Sequence, residues 1–175
     1  SGLWWFRRDL RLDDNPAWAA ATSEHHQVTA LFVVDPALLD RASSRRVVRL
    51  LSDVAALDAA LSEHGGRLLV RVGDPRVVVP QEAGRLGVSA VHLNHDVTPY
   101  AAERDDAVRA ALDSIAVEWV PEWGTLVHEP GHIQTKAGSL SQVFTPFFRV
   151  WERTPWTPWP TSGDALLTND PGDAL

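Results

Sequence analysis

Residues 3–34, LWWFRRDLRLDDNPAWAAATSEHHQVTALFVV, decide the fold. Leu3-Trp4-Trp5-Phe6 is a short apolar run that reads as a buried strand and ends abruptly in charge. Asn15-Pro16 makes a helix start, with Asn as cap and Pro at the first helical position, ahead of Ala17-Trp18-Ala19-Ala20-Ala21. Val28 to Val34 is a second apolar run, rich in β-branched residues and closed by Asp35-Pro36. Strand, helix, strand in this order is a crossover unit, which favours parallel pairing with the helix packed on the sheet.

The pattern then repeats. Ser43 or Ser44 caps a long helix to about Glu63, whose apolar positions Val47, Leu50, Leu51, Val54, Leu57 and Leu61 recur at three and four. Gly65-Gly66 ends it. Arg67 to Val72 is a third strand, and Asp74-Pro75 opens a helix that closes at Gly87. Val88 to Leu93 is a fourth strand, a helix follows from about Pro99 to Ser114, and Ile115 to Val120 is a fifth strand. The runs are continuously apolar and do not alternate, as when both sheet faces are covered. The fold class predicted is α/β: a doubly wound, Rossmann-like five-stranded parallel sheet, order 3-2-1-4-5, with helices on both faces. Ligands of such sheets bind beyond the carboxyl ends of the strands, at the switch between the first and fourth. The loops Arg7–Leu12, Asp35–Ser44 and Asn94–Tyr100 are therefore the ones placed to carry a site.

Composition agrees with one compact unit. The chain has 175 residues, 45% hydrophobic and 22% charged. That length buries roughly 70% of its unfolded surface. The absence of Cys excludes disulfide scaffolds, thiolate zinc sites and thiol nucleophiles. No apolar run approaches the ~18 residues of a membrane span and no signal-peptide pattern opens the sequence. The expectation is a cytoplasmic protein with no membrane partner. A net charge of −7 argues against a free-standing nucleic-acid binder. Yet Arg7, Arg8 and Arg11 fall together, and Arg41, Arg45, Arg46 and Arg49 follow with no acid among them.

Several familiar motifs fail. His128-Glu129-Pro130-Gly131-His132 has the zinc-protease spacing, but Pro130 and Gly131 break the helix which that chemistry needs. His92 and His95 lack a third ligand, and His25-His26 sits in a polar turn, so no metal site is expected. No Gly-x-Gly-x-x-Gly follows the first strand and no phosphate-binding Gly-x-x-x-x-Gly-Lys occurs.

What stands at the first turn is Trp5-Phe6-Arg7-Arg8-Asp9-Leu10-Arg11-Leu12-Asp13-Asp14-Asn15-Pro16-Ala17. This stretch resembles the opening of the DNA photolyase and cryptochrome family. The resemblance continues through Phe32-Val33-Val34-Asp35-Pro36, Gly73-Asp74-Pro75, Asn94-His95-Asp96-Val97-Thr98-Pro99-Tyr100 and Arg104-Asp105. It ends at Val143-Phe144-Thr145-Pro146-Phe147 and Trp151. It implies an antenna-chromophore α/β domain over residues 1–153. A Pro/Trp-rich interdomain linker would occupy 154–175, with the helical FAD-binding domain beyond it missing. The whole protein would be a deoxyribodipyrimidine photo-lyase, a carbon–carbon lyase that uses light and FAD to repair UV-damaged DNA after flipping the lesion out. This stretch alone would hold no catalytic residue and be inactive. The alternatives are a cryptochrome-type signalling module, a stand-alone small-ligand-binding domain, or a domain with no chromophore.

Relatives that bind reduced folate carry Asn-Glu where this chain has Tyr100-Ala101, so the resemblance favours 8-hydroxy-5-deazaflavin as the antenna. Asp35, Arg46, Asp96 and Tyr100, with the apolar Phe32, Val34 and Leu50, are the candidate cofactor-binding residues. Asp35 and Asp96 have turn-capping as an alternative role, and Arg46 has solvation. Arg7, Arg8, Asp9 and Arg11 are expected to fix the turn or an interface by ion pairing. Phe147 and Trp151 are expected to cover the sheet or seat the missing domain.

Overall fold

The computed structural model describes residues 1–135, 138–156, 158, 160–170, 172 and 173. Strand β1 (Gly2–Phe6) is buried along its whole length. Helix α1 (Pro16–Glu24) crosses to β2 (Gln27–Val34), which pairs parallel with β1 in the register Trp4 opposite Ala30. A one-turn helix α2 (Pro36–Leu39), not anticipated from the sequence, precedes the long α3 (Ser44–Glu63). Then follow β3 (Leu68–Val72), α4 (Pro75–Leu86), β4 (Ala90–Asn94), α5 (Pro99–Asp113) and β5 (Glu118–Glu122). The strand order is β3-β2-β1-β4-β5, all parallel, as the sequence predicts.

The pleat sorts the core. Trp4, Phe6, Ala30 and Phe32 point to the face covered by α1 and α3, where they meet Trp18, Val54, Leu57 and Leu61. Leu3, Trp5, Leu31 and Val33 point to the other face, against Val79, Ala83, Val108 and Leu112 of α4 and α5. Asn15, Asp35, Asp74 and Thr98 each cap the helix that follows, accepting the N–H of Trp18, Ala37, Arg76 and Ala101, and Pro follows each cap. Because every cap follows a strand, these helix starts gather at the carboxyl rim of the sheet.

Two features depart from expectation. The fifth strand begins at Glu118, three residues late, because Ala116 turns through φ 56° after α5. The stretch after Thr154 is more than a spacer. A short aromatic helix α6 (Phe144–Trp151) precedes it, and then Leu166–Leu167 forms β6, parallel to Gln27–Val28 of β2. The pairing of β3 with β2 starts only at Ala30, which leaves the outer edge of Gln27 and Val28 unpaired. The tail fills that gap, with Thr168 donating its N–H to Val28 and accepting that of Arg67. Lys136, and Thr157 and Trp159 of the Pro/Trp run, lie outside the described residues. No helix among the described residues is long and apolar enough to cross a membrane.

Candidate functional site

The loop from Arg7 to Asn15 folds around a buried polar knot. Asp9 is 4% exposed, and its carboxylate accepts the Arg7 backbone N–H (3.3 Å), the Asn15 amide (3.2 Å) and the Asn94 amide. Asn94, which ends β4, also donates to Asn15 Oδ1 (2.7 Å) and accepts the N–H of Ala17 (3.3 Å). Arg7 ties the knot to α5: Nη1 donates to Asp105 (2.5 Å), Nη2 to the Asn94 carbonyl, and the guanidinium lies 5.2 Å from the Trp5 ring centre. Burial pulls the Arg7 guanidinium below its ordinary value, and Asp105 opposes that pull. Buried Arg104 donates Nε to the same Asp105 (2.8 Å) and lies 4.9 Å from Trp5. Its Nη2, 2.7 Å from Asp105 Oδ1, is too poorly aligned to bond and has no other partner among the described residues.

Beside this knot a cleft of about 550 Å³ opens between the carboxyl ends of β1 and β4. This is the switch point of the sheet, and the volume falls within the ordinary range for small-molecule sites. Arg8, 69% exposed, reaches within 3.5 Å of Asp96, which also accepts the Thr98 N–H. Arg11 spans the mouth, donating Nη2 to the carbonyls of Gly124 (2.6 Å) and Asp14 (2.7 Å). A Cβ at Gly124 would sit 2.2 Å from Asn94 Oδ1, so glycine permits the approach of these two segments. His95 stacks on Trp123 at 4.4 Å, and burial and Arg7 together lower its pKa.

The rim carries a second group. Asp35 accepts both the Ala37 N–H and the Tyr100 hydroxyl, joining the end of β2 to the start of α5. Burial and Asp35 push the Tyr100 phenol up to about 12, against the opposing charges of Arg104 and Arg76. Arg46 is exposed in the first turn of α3, and its side chain has no ion pair among the described residues. Phe32 and Val34, expected to floor a slot, instead lie in the core with α1 and α3, 5% and 4% exposed. Leu50 is half-buried against that same core. The structure thus brings Asp35 to Tyr100 and Arg8 to Asp96, and it joins Arg46 to neither pair.

Residues 2–163 match the family described as DNA photolyase. The chain belongs to the DNA photolyase family. A deoxyribodipyrimidine photo-lyase from Synechococcus sp. (strain ATCC 27144) is 38% identical, over 87% of this chain and 32% of that protein. A cryptochrome DASH from Gloeobacter violaceus is 32% identical, over 98% of this chain and 36% of its own length. The crystal structure of an archaeal photolyase from Sulfolobus tokodaii, described as having two FAD molecules with the implication of a novel light-harvesting cofactor, superposes with a TM-score of 0.83. It is 27% identical and covers 95% of this chain and 38% of that one. The chain therefore spans about a third of the length of these relatives, and its fold is that of the photolyase N-terminal α/β domain.

In this photolyase domain Asn94, Arg104, Asp105 and Gly124 bear on the site, and none was singled out as a site residue from the sequence. Asn94 was the most legible of them: an amide that closes an apolar strand next to the switch point has no packing reason to be there. Gly124 carried no signal, since its partner lies thirty residues away. Helix α6 covers no part of the sheet core: Phe147 and Trp151 are half-buried, while Phe144 and Phe148 are exposed. Its rings stack on one another, Phe144 on Phe148 (5.7 Å) and Phe148 on Trp151 (6.0 Å).

Proposed function

We propose that this chain is the light-harvesting domain of a photolyase-type flavoprotein, holding a planar antenna chromophore at its carboxyl rim. The observation that carries this reading is the open cleft at the switch point of a photolyase-family sheet, where Arg8 and Asp96 border the opening and meet only in a long, exposed ion pair. The cleft is adequate in volume for such a group and is lined by exposed Arg8 and by Asp96, while exposed Arg46 and the Asp35 oxygens lie outside its lining and would have to be reached by a ligand extending beyond it. When bound, the chromophore absorbs light and passes the excitation to a flavin held by the rest of the protein. Arg46 supplies a planar donor fork that can stack on a flat ring or hydrogen-bond to it. Asp35 and Asp96 accept from ring N–H or ribityl hydroxyls, and the Arg7–Asp9 knot keeps both loops in place.

The chromophore class we favour is 8-hydroxy-5-deazaflavin over reduced folate. Ala101 is fully buried and the Tyr100 hydroxyl is engaged by Asp35, so these two positions offer no free carboxylate to a folate. The exposed aromatic face of α6 suits a flavin-binding helical domain as partner, and UV-damaged DNA is the substrate of that larger assembly. The test is to mix the purified chain with each chromophore and record absorption and fluorescence. Deazaflavin uptake with a shifted visible band, lost in Arg46→Ala, is expected. Uptake of folate alone overturns the chromophore class, and uptake of neither overturns the antenna reading. Light-driven repair of dimer-containing DNA by this chain alone would refute the division of labour.

A further inference from the structure

Away from the rim, the turn between α1 and β2 brings two histidines together across 67 residues. His92 lies on β4, opposite Trp4 and Val120, and is wholly buried. Its Nε2 is 2.9 Å from Nε2 of His25, which ends α1, and 3.9 Å from a carboxylate oxygen of Glu24. Its Nδ1 has no hydrogen-bond partner among the described residues. Burying an imidazole in a strand costs desolvation, and half of its bonding capacity is left unused here. The neighbouring inward positions on this face are Trp4, Phe6 and Val28, so packing alone would be served by an aliphatic side chain. The position instead faces a second imidazole and a carboxylate, with one ligand atom from each of the three residues converging within 4.8 Å.

We infer that Glu24, His25 and His92 form a divalent-cation site of the zinc class, with an open fourth position. Two Nε2 lone pairs can share one proton at this separation but repel when both are bare, and a cation between them removes the repulsion. With Zn–N bonds of about 2.0–2.1 Å, tetrahedral ligand atoms stand roughly 3.3–3.4 Å apart. The imidazoles would therefore part by about 0.4 Å, and the Glu24 oxygen would approach His92 by about 0.5 Å and His25, whose ligand atom lies within 4.8 Å of it, by up to about 1.4 Å. Both movements are available, because Glu24 is more than half exposed and His25 ends a helix. Gly2 leaves room for the ring, since a Cβ there would meet His25 Cδ2 at 2.4 Å.

The surrounding charge is mixed. Glu118 acts on His25 and Glu24 on Glu122, both on β5, while the Ser1 amino group opposes them. The missing partner at Nδ1 makes this site weaker, by about 10–100-fold, than one whose ligands are fully supported from behind. Three protein ligands and one vacancy is the arrangement of zinc sites that take a water or a substrate.

The test uses the metal-stripped chain titrated with Co²⁺ and Zn²⁺. Expected are saturable 1:1 binding, visible absorption bands of tetrahedral Co²⁺, and a rise in Tm of roughly 5–10 °C at hundredfold excess over Kd. Glu24→Gln and His25→Ala, both accessible, should lose the bands and the Tm rise while keeping the circular dichroism of the parent. The doubly substituted His128→Ala/His132→Ala chain, lacking the other close imidazole pair, should bind as the parent does. Absence of saturable binding, binding that survives His25→Ala, or binding lost with His128 and His132 would each overturn the site and leave a hydrogen-bonded imidazole pair.

Discussion

Replacing Asp9 by Asn while leaving its shape unchanged tests what holds the rim together. The carboxylate takes three donors: the Arg7 N–H on one oxygen, the Asn15 and Asn94 amides on the other. An amide has one oxygen. Its best orientation keeps the two side-chain donors and turns its NH₂ toward the Arg7 N–H, donor against donor. Two buried N–H groups are then unpaired, at about 1–3 kcal/mol each. The change also removes a negative charge acting on the buried Arg7 guanidinium, leaving Asp105 as its ion-pair partner. A loss of about 3–5 kcal/mol is expected, the range for breaking a buried charge contact. At about 2–4 °C per kcal/mol for a domain of this size, Tm should fall by at least roughly 6 °C. Arg8→Gln, one residue away in sequence, is the control. Its ion pair is long and its side chain mostly exposed, so it is worth no more than about 0.5 kcal/mol. Urea unfolding followed by tryptophan fluorescence reads both variants, because Trp4 and Trp18 are buried and stacked at 4.7 Å. A loss below about 1 kcal/mol in Asp9→Asn, or equal losses in the two variants, would refute the reasoning.

Three further outcomes follow from named contacts. Tyr100 is the sole tyrosine of the chain, so ultraviolet absorbance should show it ionising near 12; titration at the ordinary value of about 10 in a still-folded protein would deny the Asp35 bond. A raised phenol pKa stabilises the folded state below pH about 10, and that stability is lost as the pH climbs through about 12. Gly124→Ala should push Asn94 from its place and lower Tm measurably without altering secondary structure; an unchanged melt would show that the segment can move aside at no cost. Gly163→Ala places a Cβ 2.3 Å from the Thr22 carbonyl, so the tail should undock and residues 160–170 become susceptible to limited proteolysis while the rest resists.

The strand order was readable because each strand is a single apolar run and each helix start carries its own cap and proline; local chemistry repeated the global topology at every step. The error at the fifth strand arose where Ile115 prolongs the apolar run into what is really a turn, with Ala116 at positive φ. The docking of the tail was illegible because its cause is the late start of β3, a fact about strand lengths that Leu166-Leu167 does not advertise. At the site, Asp35 and Tyr100 could be named but not paired, and Phe32 and Val34, named with them, lie in the core. An apolar residue at a strand end looks the same whether a helix or a ligand covers it, and here Leu39 and Leu50 pack on that core. The His25–His92 contact was beyond sequence reasoning, since only the crossover of α1 over β4 creates it.

The charges at the rim fall into two classes, and the difference decides which of them can serve a ligand. Arg7, Asp9, Arg104 and Asp105 are buried or nearly so and engaged with one another. A ligand that took Arg7 or Asp9 as its partner would strip the other members of theirs, at a cost of about 3–5 kcal/mol. A new charge-assisted hydrogen bond returns only about 1.5–3 kcal/mol. These residues, which carry the strongest resemblance in the sequence, are thereby confined to the scaffold. Arg8, Arg46, Asp35 and Asp96 have exposed or spare capacity, and engaging them dismantles nothing. In the proposed antenna site, specificity for a chromophore would therefore rest on the less distinctive residues of the rim. The ligand of such a domain can change through substitutions at those positions while the knot, and with it the sheet, stays as it is.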